Sequence, residues 1–420
     1  MEIVRLREAL RMIHIQKKGM ERLVKLGRKL KQLYVDELNF LSSDFRSDEI
    51  YIRSTDVNRT LISATSAMIG VYYDNGTKPN TQYPQGIWPA HFVPIPIHTV
   101  DLSTDHMVNP TVPCKRYYWL WNNAMKTEEF QKLRTENQEM LANLSEATGV
   151  ENVALETLWS IYDPIYNELS DKRATVIDKE FFEKLEPVKK LVDDMAEGLY
   201  ISTFDGIPLK SEIARIRGGG LLWNVLNRID QKIYCSDESN KVKVECNWIS
   251  GLKLYAYSGH DTTLSGFLTA LNAKEKVLPL GPAFYGAALT FELWRLTNGT
   301  IAIKMRFIQD DDVIPNVRTI RGTNGLKDVT HTIEGCEHAE GFCLYNIIRQ
   351  NAEKYFVDDY STLCEDTSMM NPQNTPSPLR AETNGSSDQM IRFAQLILIA
   401  QLISALLMTK NLQLLSYFYI

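Results

Sequence analysis

The sequence predicts an α/β protein in which a mixed, mostly parallel sheet is flanked by helices. Two stretches carry this prediction, residues 49–69 and residues 252–271. Each contains a strand-like run, then a short polar turn, and then apolar residues at helical spacing. A third stretch, residues 101–235, is mainly helical by pattern.

The turn within residues 252–271 places His260 and Asp261 side by side between the predicted strand and helix. Ligands of open α/β sheets bind at the carboxyl ends of strands, where helix N–H groups point outward. A histidine can bind an anion there, and an aspartate can give or take a proton. The alternative is that Asp261 only caps the helix.

The turn within residues 49–60 carries Arg53, Asp56 and Arg59 and has the same order of strand, turn and helix. Two arginines at such a turn suit bidentate binding of phosphate. The alternative is that both arginines pair with nearby acidic side chains.

Six blocks in chain order extend these two signals over most of the sequence. They read GMERLVKLGRKL, IRSTDVNRT, VPIPIHTV, LWSIYDPIYNE, RGGGLLWNVLNRI and YSGHDTTLSGFLTAL. Together they resemble the histidine acid phosphatases between about residue 20 and residue 364. The resemblance implies the phosphoglycerate-mutase-like histidine phosphatase fold. It also implies hydrolysis of phosphate monoesters through a phosphohistidine, with no cofactor and no metal.

The resemblance assigns a role to each residue of the two turns. Arg59 is the arginine that clamps the phosphate, and His260 is a second phosphate-binding histidine. Asp261 is the catalytic acid that protonates the leaving group and later activates water. Arg53 is expected to be structural, with Asp56 as its partner. The substrate is expected to be a small phosphate monoester or a phosphopeptide.

The family's nucleophile is absent from this sequence in its usual form. In the family it is a histidine in an Arg-His-Gly-x-Arg-x-Pro motif on the first strand, which lies inside the sheet, and no such motif occurs here. His14 lacks the flanking residues of that motif and is expected on a partly buried helix face. The chain is therefore expected to be an inactive or severely impaired phosphatase. The alternative is a non-catalytic protein that binds phosphate or a partner.

Charge and cysteine content narrow the class of protein. The net charge of -6 argues against a nucleic-acid partner. An even number of cysteines together with several glycosylation sequons favours the secretory pathway, hence a lysosomal, cell-surface or secreted protein. The sequons begin at Asn58, Asn75, Asn143, Asn298 and Asn384. No signal peptide is visible. A truncated or alternatively spliced N-terminus would explain the missing signal and the missing motif together, and we favour it over a cytosolic protein.

The six cysteines are expected to form disulfides. The resemblance implies one long-range bridge between Cys114 and Cys364 and one local bridge between Cys336 and Cys343. Cys235 and Cys246 flank a polar loop that a third bridge could close.

The domain boundaries follow from the same patterns. The resemblance implies that residues 1–100 and 236–365 form the phosphatase core without its first strand. It also implies that the mainly helical residues 101–235 form a cap domain inserted between strands of the sheet. Residues 366–390 are polar and predict a flexible stem, followed by a hydrophobic tail at 391–420. We favour a membrane anchor for this tail. A lipid-anchor signal and an amphipathic helix packed on the body stay open. Since family members are often dimers, a homodimer is also expected.

Overall fold

A single mixed sheet organises the chain, and two of its parallel strands lead into the predicted site. The computed structural model describes residues 17–73, 81–89, 91–170, 173–309, 326–366, 368 and 413–419. Within these residues the strand order is β1-β2-β7-β3-β4-β5, with β6 paired to β4. The strands are β1 (Ile50–Ser54), β2 (Leu254–Ser258), β3 (Ala288–Arg295), β4 (Ile301–Ile308), β5 (Leu326–Asp328), β6 (Cys343–Leu344) and β7 (Gln413–Tyr419).

The predicted mixed sheet flanked by helices is confirmed. Strand β2 pairs in parallel with both β1 and β7, whereas β3 pairs antiparallel with both β7 and β4. The parallel pairs are thus confined to the part of the sheet that ends at the predicted site. A hairpin at Asn298-Gly299 joins β3 to β4, and Gly299 has the positive φ of 84° that such a turn requires.

Helices cover both faces of the sheet and fill the stretch between β1 and β2. In chain order they are α1 (Lys17–Lys31), α2 (Asn58–Tyr72), α3 (Lys115–Ala124), α4 (Glu128–Glu136), α5 (Gln138–Thr148), α6 (Trp159–Ser170), α7 (Lys179–Ala196), α8 (Leu209–Ala214), α9 (Gly220–Cys235), α10 (Asn247–Gly251), α11 (Asp261–Ala270), α12 (Lys274–Val277), α13 (Tyr345–Ala352) and α14 (Tyr360–Glu365). A wider, π-helical turn at Arg215–Gly219 leads into α9.

Alternation along the strands divides the core between the two faces of the sheet. Ile50 and Ile52 of β1 pack with α1 and α2 on one face. Tyr255 and Tyr257 of β2 pack with α9 and α11 on the other face. The helices α4 to α7 have an apolar core of their own, which includes Phe130, Leu144 and Leu185. The exact limits of core and cap given above stay predictions.

Glycines permit two close helix contacts that position the site. A Cβ atom on Gly27 of α1 would lie 1.9 Å from the backbone oxygen of Ala67 in α2. A Cβ atom on Gly218 would lie 1.8 Å from the backbone oxygen of Gly266 in α11. Since no side chain fits at either position, the triple glycine at 218–220 serves helix packing. It brings the π-helical turn directly against the helix that begins at Asp261.

Strand β7 lies in the interior of the sheet, between β2 and β3. It pairs in parallel with β2 from Leu254↔Ser416 to Tyr257↔Tyr419, and antiparallel with β3 along Leu289–Arg295. The prediction that the whole tail from 391 to 420 forms an anchor is therefore wrong for Gln413–Tyr419. No helix within the described residues is long and apolar enough to cross a membrane. Residues 369–412, which include most of the predicted stem and tail, lie outside the described part of the chain.

All three predicted disulfides are present, which confirms the expected pairing. They join Cys114 to Cys364, Cys235 to Cys246, and Cys336 to Cys343. The first bridge ties the start of α3 to α14 across 250 residues of sequence. A bridge that closes so long a loop strongly restricts the unfolded chain.

Candidate functional site

The two predicted turns meet at one edge of the sheet. Because β1 and β2 are parallel neighbours, the helices that follow them, α2 and α11, both begin at this edge. Arg59 in the first turn of α2 donates a hydrogen bond from Nη2 to Nδ1 of His260 at 3.2 Å. Ser258 Oγ donates to the backbone oxygen of Thr60 at 2.8 Å and ties the two turns together.

The hydrogen bonds fix the tautomer of His260. An arginine can only donate, so Nδ1 of His260 must accept and carries no proton. The proton is then on Nε2, which donates to Thr55 Oγ1 at 3.2 Å. Thr55 Oγ1 donates in turn to Thr60 Oγ1 at 2.8 Å, and Thr60 Oγ1 donates to the backbone oxygen of Val57 at 2.8 Å. The ring is therefore held neutral, with a relay of hydroxyl groups behind it.

The environment of His260 opposes its protonation. Burial, together with the positive charges of Arg59 and Arg217, lowers the pKa of His260 to about 4. In this arrangement Nδ1 takes the Arg59 N–H group that an anion would otherwise accept. An oxyanion placed between the two side chains would supply the missing negative charge and would favour the imidazolium.

Asp261 is the exposed acidic group of the site. It is the first residue of α11, and its Oδ1 accepts from the N–H group of Thr262 at 2.8 Å. His260 is the N-cap residue of the same helix and supplies no side-chain cap. The structure thus brings together the three residues predicted from sequence, Arg59, His260 and Asp261. Their chemical roles stay predictions.

Sequence reasoning missed Arg217, which lies behind the site on the π-helical turn. Its guanidinium donates to Glu197 at 2.7 Å and to the backbone oxygen of Pro110 at 2.5 Å, and it lies 5.0 Å from the centre of the Tyr117 ring. Burial by itself would lower the pKa of Arg217, but the ion pair with Glu197 raises it, so the guanidinium stays charged. Its positive charge acts on His260. The signal in the sequence was the triple glycine after Arg217, which marks a close backbone approach.

Arg53 is structural, as predicted, but its predicted partner is wrong. Its Nη2 donates to Asp105 Oδ1 at 2.6 Å, and the Asp105 side chain is fully buried. Asp56 is exposed. His98 stacks on Tyr51 with ring centres 4.3 Å apart, so it has a packing role beside β1.

Other predicted residues lie away from this edge or outside the described chain. Asn58, Asn143 and Asn298 are exposed, and their glycosylation stays a prediction. His14, Asn75 and Asn384 lie outside the described residues. Across the part of the chain that the structure describes, no group of three or more His, Cys, Asp or Glu side chains is arranged to hold a metal ion.

Known proteins resemble this chain in sequence over most of its length. Residues 12–314 match the family model of the histidine phosphatase superfamily, branch 2. The lysosomal acid phosphatase of Xenopus laevis is 28% identical over 363 residues, which cover 85% of this chain and 72% of that protein. The human prostatic acid phosphatase is 31% identical over 276 residues, or 65% of this chain and 64% of that one. The human lysosomal enzyme is 29% identical, and the match spans 64% of its length.

Solved structures show the same fold. Phytase from Hafnia alvei in complex with myo-inositol hexakis sulphate superposes with a TM-score of 0.53 at 14% identity, over 84% of this chain and 89% of that one. Phytase from Citrobacter braakii gives a TM-score of 0.52 at 13% identity. At this identity the likeness concerns the fold alone. With its sequence matched over residues 12–314 and its fold shared, the chain belongs to branch 2 of the histidine phosphatase superfamily.

Proposed function

We propose that the edge formed by Arg59, His260 and Asp261 binds phosphate monoesters and belongs to an acid phosphatase. The observation that carries this proposal is the contact between Arg59 and Nδ1 of His260, 3.2 Å apart at the ends of two parallel strands. There Arg59, which donates, faces a histidine nitrogen that can also donate to an oxyanion once the ring is protonated, beside the N-terminus of α11. The exposed carboxyl group of Asp261 stands next to them.

The reaction that the family resemblance implies has two steps. A histidine nitrogen attacks phosphorus, the bond from phosphorus to the alcohol oxygen breaks, and Asp261 gives its proton to that oxygen. Water then attacks the phosphohistidine, gives its proton to Asp261, and releases phosphate. Arg59 and His260 would hold the phosphoryl oxygens in both steps.

The second candidate function is a non-catalytic phosphate-binding protein. It is favoured because the third parallel strand at this edge, β7, supplies no histidine that could act as the nucleophile. Strand β7 ends beside β2, with Tyr419 paired to Tyr257, and its sequence QLLSYFY contains no His, Arg, Lys, Asp or Glu. The 420 residues contain no Arg-His-Gly-x-Arg-x-Pro motif. Under this second candidate the polypeptide binds phosphate, and any turnover is slower than that of an enzyme with the motif by several orders of magnitude.

One experiment separates the two functions. The purified 420-residue protein is assayed with p-nitrophenyl phosphate at about pH 5, and phosphate binding is measured by calorimetry. His98→Ala is the matched control, because His98 stacks on Tyr51 beside β1. Binding without turnover would support the non-catalytic protein. Turnover that is lost in His260→Ala and kept in His98→Ala would establish the enzyme and overturn the expected inactivity.

We further propose a lysosomal, cell-surface or secreted location. Three disulfides within the described residues favour an oxidising compartment, and the relatives include proteins named lysosomal and prostatic acid phosphatase. Membrane attachment and a homodimer stay proposals. Detection of the mature protein only in the cytosol would contradict the proposed location.

A further inference from the structure

A chain of buried hydroxyl groups lies behind the His260 ring and begins at Thr55. Thr55 directly follows β1 and is fully buried, and Thr60 in the first turn of α2 is 3% exposed. Nε2 of His260 lies 3.2 Å from Thr55 Oγ1, which lies 2.8 Å from Thr60 Oγ1. The Thr55 N–H group donates to the backbone oxygen of Ser258 at 3.0 Å. Thr55 is therefore fixed to the end of β2, two residues before His260.

The number of available protons gives the direction of each hydrogen bond in this chain of hydroxyls. The single proton of the Thr60 hydroxyl points to the backbone oxygens of Val57 at 2.8 Å and of Thr55 at 3.0 Å. Thr60 Oγ1 therefore accepts from the Thr55 hydroxyl, whose own single proton is then used. What Thr55 Oγ1 presents to Nε2 of His260 is a lone pair, so this nitrogen must donate. The argument does not involve Arg59, and it gives the same tautomer.

The chain of hydroxyl groups ends on backbone oxygens, which has a consequence for the ring. A carbonyl oxygen accepts a hydrogen bond but takes up no proton at the pH values at which histidine titrates. The proton on Nε2 therefore stays on the ring, and the second proton of the imidazolium must enter at Nδ1. Nδ1 is the nitrogen that lies 3.2 Å from Nη2 of Arg59. His260 thus gains and loses its proton on the side that faces Arg59.

We propose that Thr55 positions His260 so that the ring takes up its proton at Nδ1, on the side of Arg59 where the anion binds. Thr55 accepts from Nε2 in both the neutral and the charged ring. The hydrogen bond is stronger when the ring is charged, so Thr55 also favours the imidazolium. Thr55 acts through His260 and is a positioning residue. This inference rests on the proposed phosphate site and names the group that controls proton uptake there.

The charged groups around His260 are separate from this effect. The positive charges of Arg59 and Arg217 oppose protonation of the ring, and Asp261 is the next residue in the chain. The Thr55 hydroxyl carries no charge, so its removal leaves these charges in place. A change in pH dependence after its removal therefore reports the hydrogen bond to Nε2.

The test compares the sulfate affinity of the full chain at about pH 7 and about pH 5 in three threonine variants. Thr55→Val keeps the shape of the side chain without its hydroxyl, and Thr55→Ser keeps the hydroxyl. Thr269→Val is the matched control, because Thr269 is also buried and its hydroxyl donates to the backbone oxygen of Ser265 within α11. Affinities are measured by titration calorimetry.

We expect Thr55→Val to reduce the gain in sulfate affinity between pH 7 and pH 5 from roughly 20-fold to roughly fourfold. The reason is that the loss of one charge-assisted hydrogen bond disfavours the charged, anion-bound ring by about tenfold. At pH 7, where the ring is mostly neutral, Thr55→Val should bind sulfate within about twofold of the wild type. Thr55→Ser and Thr269→Val should keep the wild-type gain.

A second measurement needs no anion. Nitrogen-15 NMR of the His260 ring, assigned with His260→Asn, should show the proton on Nε2 in the anion-free wild type at about pH 7. Without an acceptor on Thr55, this proton should exchange with water faster in Thr55→Val than in Thr55→Ser.

The outcomes separate this inference from the proposed function. If the wild type binds sulfate at neither pH, the proposed function fails and the inference fails with it. If sulfate binds and Thr55→Val keeps the wild-type gain, the inference alone is overturned. An equal loss of affinity at both pH values in Thr55→Val would show a purely structural role and would also overturn it. So would a ring proton on Nδ1 in the anion-free wild type.

Discussion

Proton uptake by His260 is the most informative prediction of the site, because the structure gives both its sign and its size. Without an anion the ring is neutral, with Nδ1 accepting from Arg59 and the pKa lowered to about 4 from 6.5. An oxyanion between the two side chains takes over the Arg59 N–H group and favours the imidazolium. Anion binding should therefore raise the pKa of His260, and the affinity for an anion should rise as the pH falls.

The size follows from the span between the two pKa values. If a bound dianion restores the ordinary value, the span is 6.5 minus 4, or 2.5 units. That span corresponds to a ceiling of about 300-fold in affinity, or about 3 kcal/mol. Between pH 7 and pH 5 the expected gain is roughly 20-fold, because the free ring is still neutral at pH 5 while the bound ring is largely protonated.

Sulfate is the suitable probe, since its charge does not change over this pH range. Its affinity is measured by titration calorimetry at several pH values, and buffers of different ionisation enthalpy report the protons taken up. The charged groups that act on His260 are Arg59 and Arg217, and Asp261 is the next residue in the chain. His260→Asn keeps a polar group at this position but does not titrate. The pH dependence of sulfate affinity that remains in this variant therefore comes from the neighbouring groups.

Two results would refute this reasoning. A sulfate affinity that stays constant between pH 7 and pH 5 would show that no proton is taken up at His260. An equal rise with falling pH in His260→Asn would assign the proton to another group. Either result would mean that Nδ1 of His260 does not occupy the position at which an anion binds Arg59.

Three further predictions concern the framework of the site. Gly218→Ala, whose methyl would meet backbone of α11, should lower the free energy of unfolding by about 3 kcal/mol. Gly220→Ala meets only a tyrosine ring at 3.3 Å and should change it little; equal losses in denaturant melts would contradict this. Lys274→Met removes the ion-pair partner of the buried Asp194, which then keeps only the hydrogen bond from the Gly281 N–H group. The variant should lose about 3 to 5 kcal/mol in the same melts, whereas unchanged stability would show the pair to be dispensable. Ser416→Pro removes a ladder donor from β7 and should speed hydrogen exchange of β2 amides by about tenfold. Ser416→Thr keeps the donor and should leave the exchange unchanged. Wild-type exchange in both variants would place β7 outside the sheet.

Local pattern sufficed to find the residues of the site, because each one sits at a strand-to-helix junction. Arg59, His260 and Asp261 follow strands whose alternation is visible in the sequence, and parallel pairing brings such junctions to one edge. The disulfides could be predicted for a different reason, since the family resemblance implied two of the three pairs.

Partners that are remote in sequence could not be predicted in the same way. Asp105 binds Arg53 from a loop 52 residues away. Asp56 was predicted as the partner because it is nearer to Arg53 in sequence. Arg217 reaches the site only because Gly218 lets its turn pack on α11. A contact set by tertiary packing leaves at most a composition signal, here the run of glycines.

The C-terminal tail shows that hydropathy alone does not determine the structure of an apolar segment. An apolar run with few charges is compatible with a membrane segment, a buried helix and a central strand, and periodicity does not separate them. Strand β7 lies in the middle of the sheet, where β2 and β3 pair with its two edges, and an apolar run is typical of such a central strand. The structure resolves the ambiguity through the backbone pairing.

The central claim is that the turns around Arg59 and His260 form a single anion pocket. The most direct measurement is a calorimetric titration of the full chain with inorganic phosphate at about pH 5, repeated for Arg59→Ala, His260→Ala and the double variant. We predict one phosphate per chain, a large loss of affinity in each single variant, and little further loss in the double variant. Undiminished phosphate binding in either single variant would contradict the claim.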